Sequence, residues 1–536
     1  MHGHGTRRGI VAATLTLALL AAACSDDGGG DASTDPTTAG ADTPSATGDR
    51  LIPEVGALPP DALEIMTGEP YANATWSARV VNLDSGDEAL SLLPDELMIM
   101  GSNMKLYTIG TALDVLGADD QITTPVHQVG DDLILVGMGD PVMGGREATR
   151  DGPLGYSLPP QFDANGLPGA KPAPGNPVGG LEDLAAQVAA SGVTAVPGDV
   201  LIDTRLFEDW TPTESTVSPI VVNDNLLGVI TTPGAVGEAP TFETVPDTAA
   251  FELVNEVVTV PTDEGTDIEF SEGEGNQLVV TGTVEADSEP VLNVYHVPDP
   301  GTYARTLFIE ALERAGVTVT ADPTALNDPD ALPPEDAYTD ENLLGTIESP
   351  TFTAIAELVL KISHNEVANL TVCLLAVDLG STQCPDGFAP IRERTEALGI
   401  SPTATWFVDG AGGGAASTTA GAITTWIDWI DQQPWGPDFP QMLPILGEDG
   451  SIGMLGTESP AKGKIQAKTG TTAALDASNG RLLMQGKGLA GYMQAEDGTP
   501  YYFALYMNGG SFESLQDQFT VNEDLGDVAI ALQQSL

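Results

Sequence analysis

The sequence predicts a mixed α/β (α+β) fold: an antiparallel sheet flanked by helices and interrupted by a large β-rich insert. Three observations carry this. Hairpin-like strand pairs stand near both ends of the folded part, at 77–93 and 488–508. Helical periodicity follows each, over 102–117 and 522–536. Between them lies material of another kind, with short strand candidates and Pro/Gly-rich loops. At 536 residues the chain is too long for one core, so two or three domains are expected.

The first 24 residues read as an export signal. Arg7 and Arg8 precede an uncharged, mostly apolar run from Gly9 to Ala23, too short to span a bilayer. Ala21-Ala22-Ala23-Cys24 resembles the small-residue word before a lipidated cysteine, although Ala stands where Leu is usual; the bland reading is ordinary cleavage nearby with a free Cys24. Residues 25–49 carry Gly, Ser, Thr, Pro, Ala and Asp and no large apolar side chain, so they are expected to form a disordered acidic linker. Such a coil reaches roughly 25–30 Å.

Asp61–Met66 predicts a helix. Ser77–Leu83 and Ala89–Leu93 predict a hairpin around Asp84–Asp87. Ser102 heads a helix marked by Leu106, Ile109, Leu113 and Leu116 and closed by Gly117. Asp151–Gly180 reads as loop, Leu181–Ser191 as an amphipathic helix, and 198–203, 257–260, 277–284 and 291–297 as strands. Residues 50–122 and 297–536 are therefore assigned to the outer domain and 123–296 to the insert. Gly488–Ala495 and Tyr501–Asn508 are strands about an Asp497-Gly498 turn, and Asn522–Leu536 is a final helix.

The formal net charge of -59 excludes ordinary nucleic-acid binding, because phosphates are repelled. The five histidines are scattered, and the acids form no calcium loop, so no metal or cofactor is expected. Besides Cys24, Cys373 and Cys384 remain; a small-loop disulfide and two free buried thiols are both open readings.

Three words carry chemistry. In Ser102-Asn103-Met104-Lys105 the Ser and Lys are three apart, on one helix face. A Ser hydroxyl needs a base, and a desolvated Lys can lose its proton and serve. In Ser363-His364-Asn365 both polar ends face one cleft only if residues 362–366 form a turn between helices. Ser363 can then relay a proton and Asn365 hold a substrate amide. In Lys468-Thr469-Gly470-Thr471, a strand puts Thr469 and Thr471 on one face beside the Lys468 charge, a grip for a carboxylate. Gly470 is expected to leave room for a substrate along the strand, and the Ser102 and Thr471 amides to form an oxyanion hole. Alone, S-x-x-K and S-x-N are weak signals, and each word has an ordinary surface reading.

Together and in order, S-x-x-K, S-x-N and K-T-G are the signature of penicillin-recognising serine enzymes. The chain resembles the D-alanyl-D-alanine carboxypeptidase/endopeptidase family of low-molecular-mass class C penicillin-binding proteins with a large insert. The likeness extends to Ser102–Gly117, Val136–Pro141, Gly198–Phe207, Pro298–Gly316 and Leu443–Thr471. It implies a β-lactamase/transpeptidase-like domain and cleavage of peptidoglycan stem peptides or cross-links, with β-lactams as inhibitors. It implies Ser102 as nucleophile, Lys105 as base, Ser363 and Asn365 as the second motif, and Lys468, Thr469, Gly470 and Thr471 as the third. An exported enzyme is expected, lipid-anchored to the outer face of the cytoplasmic membrane or periplasmic, touching membrane only through the anchor. The rivals are a β-lactamase, or a non-catalytic cell-wall-binding lipoprotein of the same fold. Three departures stand out. His364 replaces the commoner Asp, which is expected to alter the pH profile. Asp409–Gly413 replaces D-G-S-G-L, which predicts altered packing beside the site. The long stretch Asp476–Lys487 is expected to reshape the cleft rim.

Overall fold

The computed structural model describes residues 51–536 apart from 144, 150, 151, 214, 515 and 516. Cys24 and the export-signal and linker readings lie outside the described residues.

Five strands from the two ends of the chain build the main antiparallel sheet. They are β1 (Thr75–Asn82), β2 (Glu88–Leu92), β3 (Ile465–Asp476), β4 (Arg481–Gln494) and β5 (Pro500–Asn508), ordered β3-β4-β5-β1-β2. Gly510–Phe512 adds a short pairing on β4. Alternation along β5 explains why the sheet is covered on both sides. Phe503, Leu505 and Met507 join one apolar cluster with Trp76, Ala78 and Val80. Tyr502, Ala504 and Tyr506 join another, with the interior helices. The Asp497-Gly498 turn forms as expected: Gly498 takes φ 93°, and the Thr499 N–H donates to Asp497 Oδ1 at 2.9 Å.

Four helices matter for the site: α1 (Met104–Ala112), α2 (Phe352–Ile362), α3 (Asn365–Asp378) and α4 (Gln518–Ser535). All nine residues of α1 are buried, so it is a core helix rather than a surface one. Its hydroxyls are satisfied internally; Thr111 donates to the Tyr107 carbonyl at 2.8 Å. On α4, Val521, Leu525, Val528 and Leu532 repeat at helical spacing and seal the other sheet face. Each large apolar side chain so buried contributes about 1.5–3 kcal/mol. The helix starts at Gln518, earlier than the expected Asn522.

The segment Asp476–Lys487 is not a free rim loop. It continues β3, turns at 477–480 and returns as β4, with Asp476 opposite Arg481. The β-hairpin is simply longer than the pattern at 488–495 showed.

The insert holds a three-stranded sheet of 252–260, 267–272 and 277–285, and a second of 226–232, 241–245 and 291–296. Strands 226–232, 241–245 and 267–272 add to those expected from the sequence. The inserted packing also runs past the expected boundary at 296. Leu343–Glu348 pairs with Thr123–Val129. Tyr303, Leu307 and Phe308 of the helix Pro300–Arg314 pack with Val126, Leu133 and Leu184. Helical periodicity tells which face is buried, not against which layer, so this packing across residue 296 has no signal in the sequence.

Cys373 and Cys384 form a disulfide that ties α3 to the turn Cys384–Gly387. Closing so short a loop restricts the unfolded chain by about 3 kcal/mol.

Candidate active site

Ser102 sits in a tight turn, Gly101–Asn103, that leads into α1. The turn lies directly on β3. A Cβ on Gly101 (φ 49°) would meet the Thr471 nitrogen at 2.5 Å, and one on Gly470 would meet the Met100 carbonyl oxygen at 1.9 Å. Gly470 therefore serves the approach of turn and strand, not substrate room, which corrects the expectation for that residue. Asn103 completes the seam, its Nδ2 donating to the Lys468 carbonyl at 2.7 Å.

Lys105 projects from the first turn of α1 and is fully buried. Its Nζ lies 2.7 Å from Ser102 Oγ, 2.7 Å from Asn365 Oδ1, 3.4 Å from Ser363 Oγ and 3.0 Å from the Ala411 carbonyl oxygen. Burial lowers its pKa to about 7, against the partial support of Asp409 and Asp163. The Asn365 amide oxygen and the Ala411 carbonyl can only accept. A neutral amine can give them its two hydrogens and keep its lone pair for Ser102.

The second motif forms the expected turn. α2 ends at Ile362, Ser363 adopts the left-handed region (φ 62°, ψ 41°), and His364 caps α3. That break lets Ser363 and Asn365 converge on Lys105. A left-handed non-glycine residue costs about 1–2 kcal/mol, so something must hold it. His364 is the holder. It is buried, its ring centre lies 4.5 Å from that of Phe162, and its Nε2 stands 3.2 Å from Asp224 Oδ1. The Val367 N–H donates to its Nδ1 at 3.5 Å, so Nδ1 serves as an acceptor.

Asp224 lies in the turn Asn223–Asn225, ahead of the strand 226–232. Its Oδ2 accepts from Arg146 Nη2 and from Gln161 Nε2, both at 2.6 Å. Burial alone would raise its pKa, but the Arg146 charge and the His364 contact override it and hold the carboxylate well below its ordinary range. Its neighbours Asn223 and Asn225 share its left-handed backbone, which Asn and Asp tolerate best. Asn225 Nδ2 also donates to Glu366 Oε1 at 3.2 Å. Burial first, and Asp224 next, push the Glu366 pKa well up.

On β3, Lys468 is fully buried and Thr471 exposed. Lys468 Nζ donates to the Thr469 carbonyl at 2.9 Å, and Thr469 Oγ1 lies 3.0 Å from Ser451 Oγ. Burial, then the charges of Lys105 and Lys487, lower the Lys468 pKa well below the usual value. So the lysine expected as a carboxylate anchor stands behind the threonines, not at the surface.

The loop Asp409–Gly413 is packed, with residues 409–412 buried. Asp409 Oδ1 accepts from the amides of Ala411, Gly412 and Gly413 at 2.6–2.9 Å. This curl presents the Ala411 carbonyl to Lys105. Glycine is required at 412, where φ is 96° and a Cβ would meet the Gly101 oxygen at 1.9 Å.

Residues 61–528 match the model of a peptidase family, which places the chain among the serine peptidases. That family is D-Ala-D-Ala carboxypeptidase 3 (S13), and the chain belongs to it. It is 27% identical over 500 residues to the D-alanyl-D-alanine carboxypeptidase of Actinomadura sp. (strain R39), spanning 87% of this chain and 83% of that one. In fold it is similar to penicillin binding protein 4 from Haemophilus influenzae, with a TM-score of 0.65 at 16% identity over 88% of this chain and 99% of that one. The complex of that protein with a β-lactam gives a TM-score of 0.63, also at 16% identity and with the same coverage of both chains.

The structure brings Ser102, Lys105, Ser363 and Asn365 together directly and sets Lys468–Thr471 against the same turn. Sequence reasoning missed Asn103, Ala411, Asp224 and Lys487. Asn103 and Lys487 did carry a signal. One stands inside the S-x-x-K word itself, and the other is one of only seven lysines. Ala411 acts through its backbone, and Asp224 lies 140 positions from its partner, so neither had one.

Proposed function

We propose that this chain cleaves the terminal D-Ala–D-Ala bond of peptidoglycan stem peptides, or peptide cross-links, through an acyl-enzyme on Ser102. The observation that carries this reading is the Lys105 amine, in contact with Ser102 and with the second motif at once. Neutral Lys105 takes the Ser102 proton as Oγ attacks the substrate carbonyl. The amides of Ser102 and Thr471 hold the developing oxyanion. Loss of one such donor costs about 10²–10³ in rate. Ser363 passes the proton to the departing nitrogen, D-Ala leaves, and water then frees Ser102. Asn365 is held through its oxygen by Lys105, which leaves its amide nitrogen for the substrate. Thr469 and Thr471 hold the terminal carboxylate, with Lys468 behind them.

The same Ser102 would be acylated by β-lactams, as the β-lactam complex of penicillin binding protein 4 suggests by analogy of fold. In this reading the sheet and its helices form the catalytic part, and residues from 123 to about 348 the insert. The enzyme works outside the cytoplasmic membrane, tethered through a lipid on Cys24. Among the described residues no helix is long and apolar enough to cross a membrane.

Fluorescent penicillin tests the site. Wild-type protein should be labelled stoichiometrically and Ser102→Ala not at all while still folded; equal labelling of both would remove Ser102. Rapid multiple turnover of a chromogenic cephalosporin would instead favour a β-lactamase. Incorporation of labelled fatty acid that vanishes in Cys24→Ala tests the tether.

A further inference from the structure

Four of the seven lysines are buried: Lys105, Lys361, Lys468 and Lys487. Lys361 is paired with both oxygens of Asp449, and Lys105 and Lys468 belong to the motifs. Lys487 belongs to no motif. It lies on β4 directly opposite Thr471, 3% exposed. Its Nζ donates to Thr471 Oγ1 at 2.6 Å and to Asn522 Oδ1 on α4. Both partners are neutral. Burial lowers its pKa to about 7.

While Lys487 carries its third proton, the hydrogen-bond logic at Thr471 is one-way. An ammonium group has donors only, so Thr471 Oγ1 must act as acceptor toward it. The one hydrogen of that hydroxyl is then turned away from Lys487. The Thr471 side chain is at the exposed surface of β3, so that hydrogen is available to a ligand. A ligand meeting it must accept, and a polarised hydroxyl with a cation behind it favours an anionic acceptor.

We propose that Lys487 is a positioning residue that sets specificity: it fixes the Thr471 hydroxyl as a donor to the terminal carboxylate of the substrate. Lys487 does not touch the reacting atoms. This rests on the proposed acyl-transfer reading and deepens it by naming the group that makes the site select a free C-terminal carboxylate.

The test compares wild type, Lys487→Met and Lys487→Arg. One readout is hydrolysis of a peptide ending in D-Ala–D-Ala. The other is inhibition by a matched pair of arylboronic acids, with and without a carboxylate, which bond reversibly to an active serine. Lys487→Met should raise KM for the peptide about tenfold or more and leave kcat within about threefold. It should weaken the carboxylate-bearing boronic acid alone, and Lys487→Arg should restore most of the loss. In a Thr471→Val background Lys487→Met should add little. Equal weakening of both boronic acids, or undiminished peptide affinity, would overturn the inference while leaving Ser102 acylation intact. Wild type unlabelled by penicillin would instead sink the acyl-transfer reading, and this inference with it. If Lys487→Met fails to fold, Lys487→Gln, which keeps a donor but no charge, takes its place: it should show the same selective loss, and wild-type behaviour would overturn the role of the charge.

Discussion

His364 Nε2 lies 3.2 Å from Asp224 Oδ1, which joins the middle residue of the second motif to the turn Asn223–Asn225. Asp224 is in turn gripped by Arg146 and Gln161. The left-handed turn at Ser363 is thus braced by a segment 140 positions away in the chain. An Asp at 364 would face the Asp224 carboxylate, so the commoner residue is the wrong one here. His364→Asp should destabilise the fold and slow penicillin acylation, whereas His364→Asn should be milder. Acylation equal to wild type in His364→Asp would refute the brace.

Asp224→Asn tests the same brace from the other side. Removing one partner of a buried pair leaves the Arg146 charge uncompensated, at a cost of about 3–5 kcal/mol. The sign with pH follows from a depressed folded pKa. The stabilisation is fully present above the ordinary carboxylate range near pH 4 and is lost as pH falls below it. Chemical denaturation between pH 3 and 7 should show that loss in wild type and a flatter profile in Asp224→Asn.

Lys105 must be neutral to accept the Ser102 proton, and its pKa is about 7. Acylation by penicillin should therefore rise with pH through a midpoint near 7. Lys468 and Lys105 lie close enough for their charges to interact, so the midpoint belongs to the pair rather than to one residue. Lys105→Arg, which keeps the charge and cannot act as base, should lose about 10²-fold or more. A rate independent of pH from 5 to 9 would contradict the assignment.

Lys468 is buried and, among the described residues, has no carboxylate in hydrogen-bonding contact. Such a group is held for function at a cost in stability. Lys468→Met should raise the unfolding free energy by about 1 kcal/mol while peptide hydrolysis falls at least tenfold. A variant that is both less stable and fully active would reverse the interpretation.

With 78 acidic residues against 19 Lys and Arg, mutual repulsion opposes the folded state. Screening shortens the reach of that repulsion to about 8 Å at physiological ionic strength and about 3 Å at 1 M. The melting temperature should climb with potassium chloride from 0.05 to 1 M. A steady fall would contradict it.

The three motif words were legible because each is local, and a run of two to four residues fixes the chemistry whatever surrounds it. The hairpins and α1 were legible for the same reason: period and turn residues lie within one window. What stayed hidden was made by distant chain. The Ala411 carbonyl has no side-chain signature, since any residue in that curl offers the same oxygen. Gly470 was read as an opening toward substrate because its true neighbour, Met100, is 370 positions away. The strand Leu343–Glu348 was given to no sheet, and its partner at 123–129 decides where it belongs.

Gly101 and Gly470 meet with no room for a methyl group on either side. The nucleophile's turn and the strand beside it are therefore one solid piece. Neither can swing aside to admit a bulkier peptide, and adaptation to new substrates has to come from elsewhere. The other side of the cleft, at Ser363, takes its posture through His364 from Asp224, a residue far off in the chain. Exchange of residues 123–348 between relatives would then retune cleavage preference while leaving the reacting serine where it is.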